Sequence, residues 1–292
     1  MARIGLVDLD TSHPGAFTPL LRAMDHDVVA VWHHGPHGPA AEFAAQHGIR
    51  HVFDDLYPMA DAVDLALVSG ADWSTHIERV TPFVAAGRAV LLDKPFAGNA
   101  ADLAQLVEWA GHGVRLSGGS SLRWAVERDP DAEFALAGCS GHEFDYGIHA
   151  YSLLHGLLGP GMRRARWLGG RGQARVEIAW ADGRTGMVSV GETPARHPFW
   201  ATVLSGRSVR HVEVDPSALY ETMLHAVVPY LSGQAPDPMP MSALIEPELA
   251  ALAGLCSRYD GGRWVSFDDP DLAGVEYDGP AFAAAYRRAK LR

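Results

Sequence analysis

A lysine at the end of a buried apolar run is the first residue with chemistry to offer. In Ala89-Val-Leu-Leu-Asp-Lys-Pro-Phe-Ala97 the segment Ala89 to Leu92 has the composition of a central parallel strand, and Lys94 follows at its carboxyl end. Open α/β sheets bind ligands at that edge. Pro95 imposes a rigid turn, trans or cis, that aims the side chain. An ammonium so placed polarises a substrate oxygen; the plainer alternative is a solvated lysine at a strand end. A second string, Glu143-Phe-Asp-Tyr-Gly-Ile-His-Ala-Tyr151, sets Asp145 four residues before His149, so that one helical face could carry both. A carboxylate beside an imidazole supplies an acid–base or a metal-ligand pair, although two polar residues at helical spacing are usually structural.

The elements that must position these groups are legible upstream and downstream. Strand-like runs at Arg3–Leu9, Asp27–Trp32, Val63–Ser69, Ala89–Leu92 and Val114–Leu116 alternate with helical patterns at Phe17–Met24, Pro39–His47, His76–Ala86 and Asn99–Ala110. That alternation predicts βαβ units and a doubly wound parallel sheet. After Ser117-Gly-Gly-Ser-Ser the pattern changes. Arg175–Trp180 and Thr185–Val190 flank Asp182-Gly183, a strong hairpin signal, and Phe199–Leu204 and Val209–Val214 flank Gly206. Helices are expected at about Pro216–Leu231 and Ser242–Ser257. The fold class is α/β: an N-terminal doubly wound domain over residues 1–120 and a C-terminal α+β domain over 121–292 with an open, largely antiparallel sheet.

The chain has 292 residues, 24 basic and 35 acidic side chains and a formal charge of −11. The acidic excess argues against nucleic acid or an anionic membrane as partner, since both need a basic footprint. No apolar run approaches the ~18–20 residues of a membrane span, and the start has no signal-peptide pattern, so a cytoplasmic location is expected. Cys139 and Cys256 are too few and too far apart for a disulfide framework or a cysteine-rich metal site.

Together the strings resemble the glucose–fructose oxidoreductase / inositol dehydrogenase (Gfo/Idh/MocA) family, from about Arg3 to Phe267. The resemblance rests on Asp64-Leu-Ala-Leu-Val, on His76 opening the next helix, and on Ala86-Gly-Arg-Ala-Val-Leu-Leu-Asp-Lys-Pro. Arg123-Trp124, Asp145-x-Gly-x-His149 and the late Met241-Ser-Ala, Ser257 and Gly262-Arg-Trp-Val also fit. It implies a Rossmann-like domain joined to an open-sheet domain, a homo-oligomer, and NAD(P)-dependent chemistry on sugars, polyols or related carbonyls. By that pattern Lys94, Asp145 and His149 form the catalytic trio, and His76, Arg123 and Ser152 are candidate substrate residues.

Departures from the family pattern are concentrated in the first turn. Asp8, Asp10 and His13 stand at the three glycine positions of GxGxxG, and His33-His34 stands where an acidic ribose ligand is usual. Glycines there admit the pyrophosphate close to the backbone, and carboxylates repel it. Ser152 replaces a frequent aspartate, and residues 125–141 look too short for the family's normal first strand and loops. The former cofactor loop, Asp8, Asp10, Thr11, Ser12 and His13 with His33, therefore offers two alternatives. Asp8, Asp10, His13 and His33, with His34 and His37 nearby, suit a divalent Zn, Mn or Fe ion. Otherwise Asp10, Thr11 or Ser12 caps the first helix and the histidines are solvated.

Three functions are compatible with these residues. The altered fingerprint favours a redox-neutral enzyme of lyase, hydratase or isomerase type acting on a small hydroxylated or carbonyl substrate. In it Asp145 orients His149, and NAD(P) binds no more tightly than about 1 mM. The alternative is an NAD(P)-dependent oxidoreductase with an atypical cofactor loop. The third is a non-catalytic ligand-binding protein.

Overall fold

The computed structural model describes residues 1–290, which fold around two sheets. The first third reads β1 (Arg3–Val7), α1 (His13–Ala23), β2 (Asp27–Trp32), α2 (His37–His47), β3 (His51–Phe53), α3 (Leu56–Ala62), β4 (Leu65–Val68), α4 (His76–Ala85), β5 (Ala89–Asp93), α5 (Ala100–Gly111) and β6 (Leu116–Gly119). All six strands are parallel, in the order β3-β2-β1-β4-β5-β6. Strand order reverses at β1, so the crevice at the carboxyl ends of β1 and β4 is the topological switch point where such sheets bind ligands.

Helices cover both faces, which is why the central strands are continuous apolar runs; every residue of β4 and β5 is buried. Gly5 lets α3 close on the sheet, since a Cβ there would stand 2.4 Å from Met59 Cε. The Asn99 side chain accepts the Asp102 N–H at 2.8 Å and starts α5.

The chain continues as β7 (Ala132–Ser140), α6 (Gly147–Leu158), β8 (Met162–Gly169), β9 (Ala174–Trp180), β10 (Thr185–Gly191), β11 (Trp200–Ser205), β12 (Ser208–Glu213), α7 (Leu219–Leu231), α8 (Met241–Leu244), α9 (Glu246–Tyr259), β13 (Val265–Ser266) and α10 (Gly279–Lys290). The second sheet has the order β12-β11-β7-β10-β9-β8-β13. β7 and β10 pair in parallel and the other neighbours are antiparallel. Helices α6 and α9 pack on one of its faces and on each other. Both hairpins form, with Ala179 opposite Thr185 and Ser205 opposite Ser208. The combination of a parallel sheet and a mostly antiparallel one is the fold the sequence predicts.

Several elements differ from expectation. Residues 125–141, read as too short for the family's normal first strand and loops, contain the nine-residue β7 in the interior of the second sheet. Its alanines and glycine have low strand propensity, and only the tertiary context makes them a strand. The parallel sheet gains β3, a three-residue strand followed by α3. Asp145 does not share a helical face with His149, because α6 begins after it. Both cysteines are free and buried. No helix among the described residues is long and apolar enough to cross a membrane.

Candidate active site

A cavity of about 390 Å³ opens where the carboxyl edge of the parallel sheet faces the second sheet. From the first sheet come Thr11, Ser12 and His13 after β1, Gly70 and Ala71 after β4, Lys94 after β5, and Ser121 and Leu122 after β6. Opposite them lie Asp145, Tyr146 and His149 around the start of α6 and residues 196–199 before β11, with Tyr220 of α7 and Phe282 and Tyr286 of α10 closing the rim.

Lys94 leaves β5 just before a cis peptide bond to Pro95. Its ammonium donates to Asp145 Oδ1 at 2.8 Å and to the Asp145 carbonyl at 3.2 Å. Burial alone would lower its pKa, but the Asp145 and Asp93 carboxylates outweigh that and raise it, so the ammonium stays charged. His149, on the first turn of α6, shares a 2.7 Å hydrogen bond between Nδ1 and Ser120 Oγ. Burial, with Lys94 and His13 nearby, holds its pKa well below the usual histidine value, so the imidazole is neutral at pH 7. Lys94, Asp145 and His149 therefore border one cavity, but the pairing differs from expectation. Asp145 neutralises Lys94 rather than orienting His149; Ser120 takes that part.

The first loop is built differently from its expected forms. Asp8 adopts φ +66°, the left-handed conformation that a glycine supplies at this turn. Its buried carboxylate accepts the His34 N–H at 3.2 Å and contacts His34 Nδ1 at 2.5 Å, with Arg79 Nε at 3.5 Å. Burial would raise the pKa of Asp8, but the hydrogen bonds with His33 and His34 hold it far below the carboxylate range. Asp10 lies in a bidentate pair with Arg287 of α10, both contacts at 3.1 Å, and its carbonyl accepts from Lys290. Ser12 occupies the N-cap of α1 without a side-chain cap bond, while Thr11 Oγ1 accepts the His13 N–H at 3.3 Å.

Of the four expected metal ligands, Asp8 and His33 come together, joined by His34; the candidate donor atoms of these three lie within 4.8 Å of one another. His13 turns away to pair with Asp93, stacked on Phe17 and edge-on to Tyr220. Asp10 is held by Arg287, and His37 pairs with Asp54 at 2.8 Å. The three-residue cluster does not suit a divalent cation. His33 Nδ1 accepts the Leu9 N–H at 3.2 Å, and the Arg287 guanidinium stands 2.9 Å from His34 Nε2. A neighbouring guanidinium opposes a second positive charge.

The expected substrate residues lie outside the cavity. His76 is buried, its ring bridging the Phe96 and Gly70 carbonyls at 3.1 Å each, so it braces two loops. Arg123 points into the core and donates to the Leu244 carbonyl at 2.9 Å. Ser152 is buried on α6. Apolar burial of these helix and turn positions explains the misreading, because sequence spacing does not say which face looks at the ligand. The sequence reading missed Ser120, Tyr146, Phe199, Tyr220 and the α10 pair Phe282 and Tyr286. The last pair carried a signal: two aromatics four apart, followed by Arg287, on a late amphipathic helix.

A six-stranded parallel sheet in this order is a Rossmann-type sheet, which binds ligands at its switch point, and here that point borders the cavity. Residues 9–118 match the Gfo/Idh/MocA family model, described as "Oxidoreductase family, NAD-binding Rossmann fold". Over those residues the chain is similar to that family. It is 36% identical over 73 residues to scyllo-inositol 2-dehydrogenase (NADP(+)) of Bacillus subtilis, a stretch covering 24% of this chain and 22% of the relative. It is 35% identical over 97 residues to trans-1,2-dihydrobenzene-1,2-diol dehydrogenase of Oryctolagus cuniculus, covering 32% and 29%. The matched stretches thus span less than a third of either relative's length. Among solved structures, GenD2 from gentamicin A biosynthesis, crystallised with NAD, superposes with a TM-score of 0.76 at 19% identity, over 91% of this chain and 97% of its own.

These findings overturn two expectations: a redox-neutral lyase, hydratase or isomerase, and the absence of tight NAD(P) binding. The family model and both relatives are those of dehydrogenases. The physical error lay in treating Asp8 and Asp10 as free charges facing a diphosphate. Asp8 is buried among His33, His34 and Arg79, Asp10 is matched by Arg287, and the turn keeps the backbone shape that glycine would give it.

Proposed function

We propose that the protein is an NAD(P)-dependent oxidoreductase that interconverts a hydroxyl and a carbonyl on a small polyhydroxylated substrate. The observation that carries this reading is the meeting of Lys94 and neutral His149 in the cavity beside the first loop, at the switch point of the parallel sheet. The loop suits a dinucleotide. Asp8 keeps the glycine-like turn, Thr11, Ser12 and His13 open the N-terminus of α1 toward the cavity, and Arg79, Arg287 and Lys290 offset the charge of Asp8 and Asp10. Residues 8–13 would hold the diphosphate, and the nicotinamide would supply the hydride acceptor or donor.

The chain's own residues manage the proton and the oxygen. With Nδ1 committed to Ser120, His149 Nε2 accepts the proton of a substrate hydroxyl during oxidation and returns it during reduction. The Lys94 ammonium donates to the same oxygen and stabilises the charge that develops there. Asp145 keeps Lys94 charged and fixes its direction. Aromatic walls from Phe199, Tyr220, Phe282 and Tyr286 suit the C–H faces of a ring. The names of the two curated relatives, dehydrogenases of a cyclic polyol and a ring diol, agree with that substrate class.

The test is steady-state oxidation of a panel of cyclic polyols and sugars with NAD⁺ and NADP⁺, read by the absorbance of the reduced nicotinamide. Lys94→Ala should lower turnover at least ~10²-fold. Failure of the protein to bind either dinucleotide would overturn the reading. So would full activity in both Lys94→Ala and His149→Ala.

A further inference from the structure

The ends of β1 and β2 carry an arrangement that the proposed chemistry does not use. A Rossmann domain places the adenosine ribose over these strand ends, where a carboxylate accepts the 2′-hydroxyl of NAD and an arginine accommodates the 2′-phosphate of NADP. In this protein the tip of β2 carries His33 and His34 in place of an acid. Asp8 and Asp10 beside it lie inward, with side chains 2% and 7% exposed. The cations cover them: Arg287 is 43% exposed and His34 is 31% exposed. The Arg287 guanidinium spans both strand tips, holding Asp10 at 3.1 Å and touching His34 Nε2 at 2.9 Å. Arg79 adds a second guanidinium from below, over the Trp32 ring at 4.5 Å and paired with Glu78 at 2.6 Å. Hydrogen bonding to Asp8 raises the pKa of His34, opposed by burial and by the Arg287 charge.

We infer that Arg287, reaching over from the C-terminal helix, and His34 together form a 2′-phosphate subsite that selects NADP(H) over NAD(H). This inference rests on the oxidoreductase reading above. Its particular content is the source of the selecting arginine. In place of a residue just after β2, the final helix of the chain supplies it, and Asp10 holds the guanidinium in position. Guanidinium suits this role because, with Nε and Nη2 held by Asp10, its planar group still presents Nη1 to a phosphate oxygen in a fixed direction, which an ammonium cannot do.

The experiment is equilibrium fluorescence titration of the full-length protein with NADPH and NADH, with competition by 2′,5′-ADP and by 5′-ADP. NADPH is expected to bind at least tenfold more tightly than NADH, and 2′,5′-ADP to compete better than 5′-ADP. Arg287→Gln should reduce the ratio of the two dissociation constants to near one, and Arg287→Lys should keep part of it. Arg287 is half-exposed on a surface helix, and circular dichroism confirms that each variant is folded. Equal affinity for the two dinucleotides, tighter NADH binding, or a ratio unchanged in Arg287→Gln would overturn the inference while leaving the oxidoreductase reading intact. A protein that binds neither dinucleotide would overturn both. Tighter binding of both dinucleotides by Arg287→Gln would show the helix to be a plug over the site and would also overturn the inference.

Discussion

The neutral state of His149 is set by its surroundings, and it has a sign that can be measured. Burial first, then the charges of Lys94 and His13, depress the pKa of the imidazole. A base whose folded pKa lies below 6.5 keeps its accepting form into mild acid. The acid limb of kcat/KM for alcohol oxidation is therefore expected below pH 6.5, and a limb at or above that value would contradict the assignment. Asp145 gives a matching prediction on the alkaline side. Its charge helps raise the pKa of Lys94, so Asp145→Asn should move the alkaline limb to lower pH and reduce turnover about 10-fold or more, as seen in a pH–rate profile. At this scale the sequence was informative about which residues carry chemistry and poor about their partners. Lys94, Asp145 and His149 stand out by type and motif. That Asp145 meets Lys94 while Ser120 meets His149 depends on contacts between residues 51 and 29 positions apart, which no local pattern encodes.

Elements hold the site through close backbone approaches that leave little room for side chains. Gly118 in β6 has φ +132°, and a Cβ there would lie 2.1 Å from the Leu92 carbonyl oxygen of β5, the strand that ends at Lys94. Gly118→Ala should therefore destabilise the protein by roughly 1–3 kcal/mol or more, measured by urea denaturation, and displace Lys94 enough to reduce turnover. An alanine variant with unchanged stability would show that β5 and β6 can separate freely. The strong periodic segments were readable: the alternating strands and helices of the first sheet, and the two hairpins with Asp182-Gly183 and Gly206 at their turns. β7 was not. Glu133-Phe-Ala-Leu-Ala-Gly138 lacks the β-branched residues that mark a strand, and Gly138 is needed because a Cβ would strike the Trp200 ring at 2.6 Å. Helix α10 was missed for another reason: its aromatic and basic stripe resembles any solvated helix until the fold brings it onto the first loop.

At the scale of the whole molecule, a set of buried charges joins α6 and α9 to the parallel sheet. His155 Nε2 lies 3.3 Å from Glu246, and Glu248 accepts the Phe96 N–H at 3.2 Å, just after the Lys94 turn. Burial pulls the pKa of His155 down to about 4 and pushes that of Glu248 up to about 7. The two act on stability in opposite directions. As pH falls from 6.5 toward 4, unfolded His155 takes up a proton that the folded state refuses, and stability is lost. As pH rises from 4.5 toward 7, unfolded Glu248 releases a proton that the folded state keeps, and stability is again lost. Each effect amounts to about 3 kcal/mol at complete titration. Relative to the parent protein, His155→Leu should gain stability as pH is lowered from 6.5 to 4, and Glu248→Gln should gain it as pH is raised from 4.5 to 7. Urea midpoints across this range check both, and parallel curves for parent and variants would contradict the buried-pair account.

The contact between Asp10 and Arg287 also has a consequence in time. It joins residues 277 positions apart, so it cannot exist until the 277 residues after Asp10 have been made. At about 5–20 residues per second, roughly 14–55 s separate the emergence of the two partners from the ribosome. The parallel sheet has everything it needs to assemble in that interval. During it the nascent domain carries Asp10 without its arginine at the mouth of its ligand crevice. The proposed anion-binding rim is thus completed long after the loop it covers, and a domain lacking α10 would present Asp10 without its arginine to the same ligand.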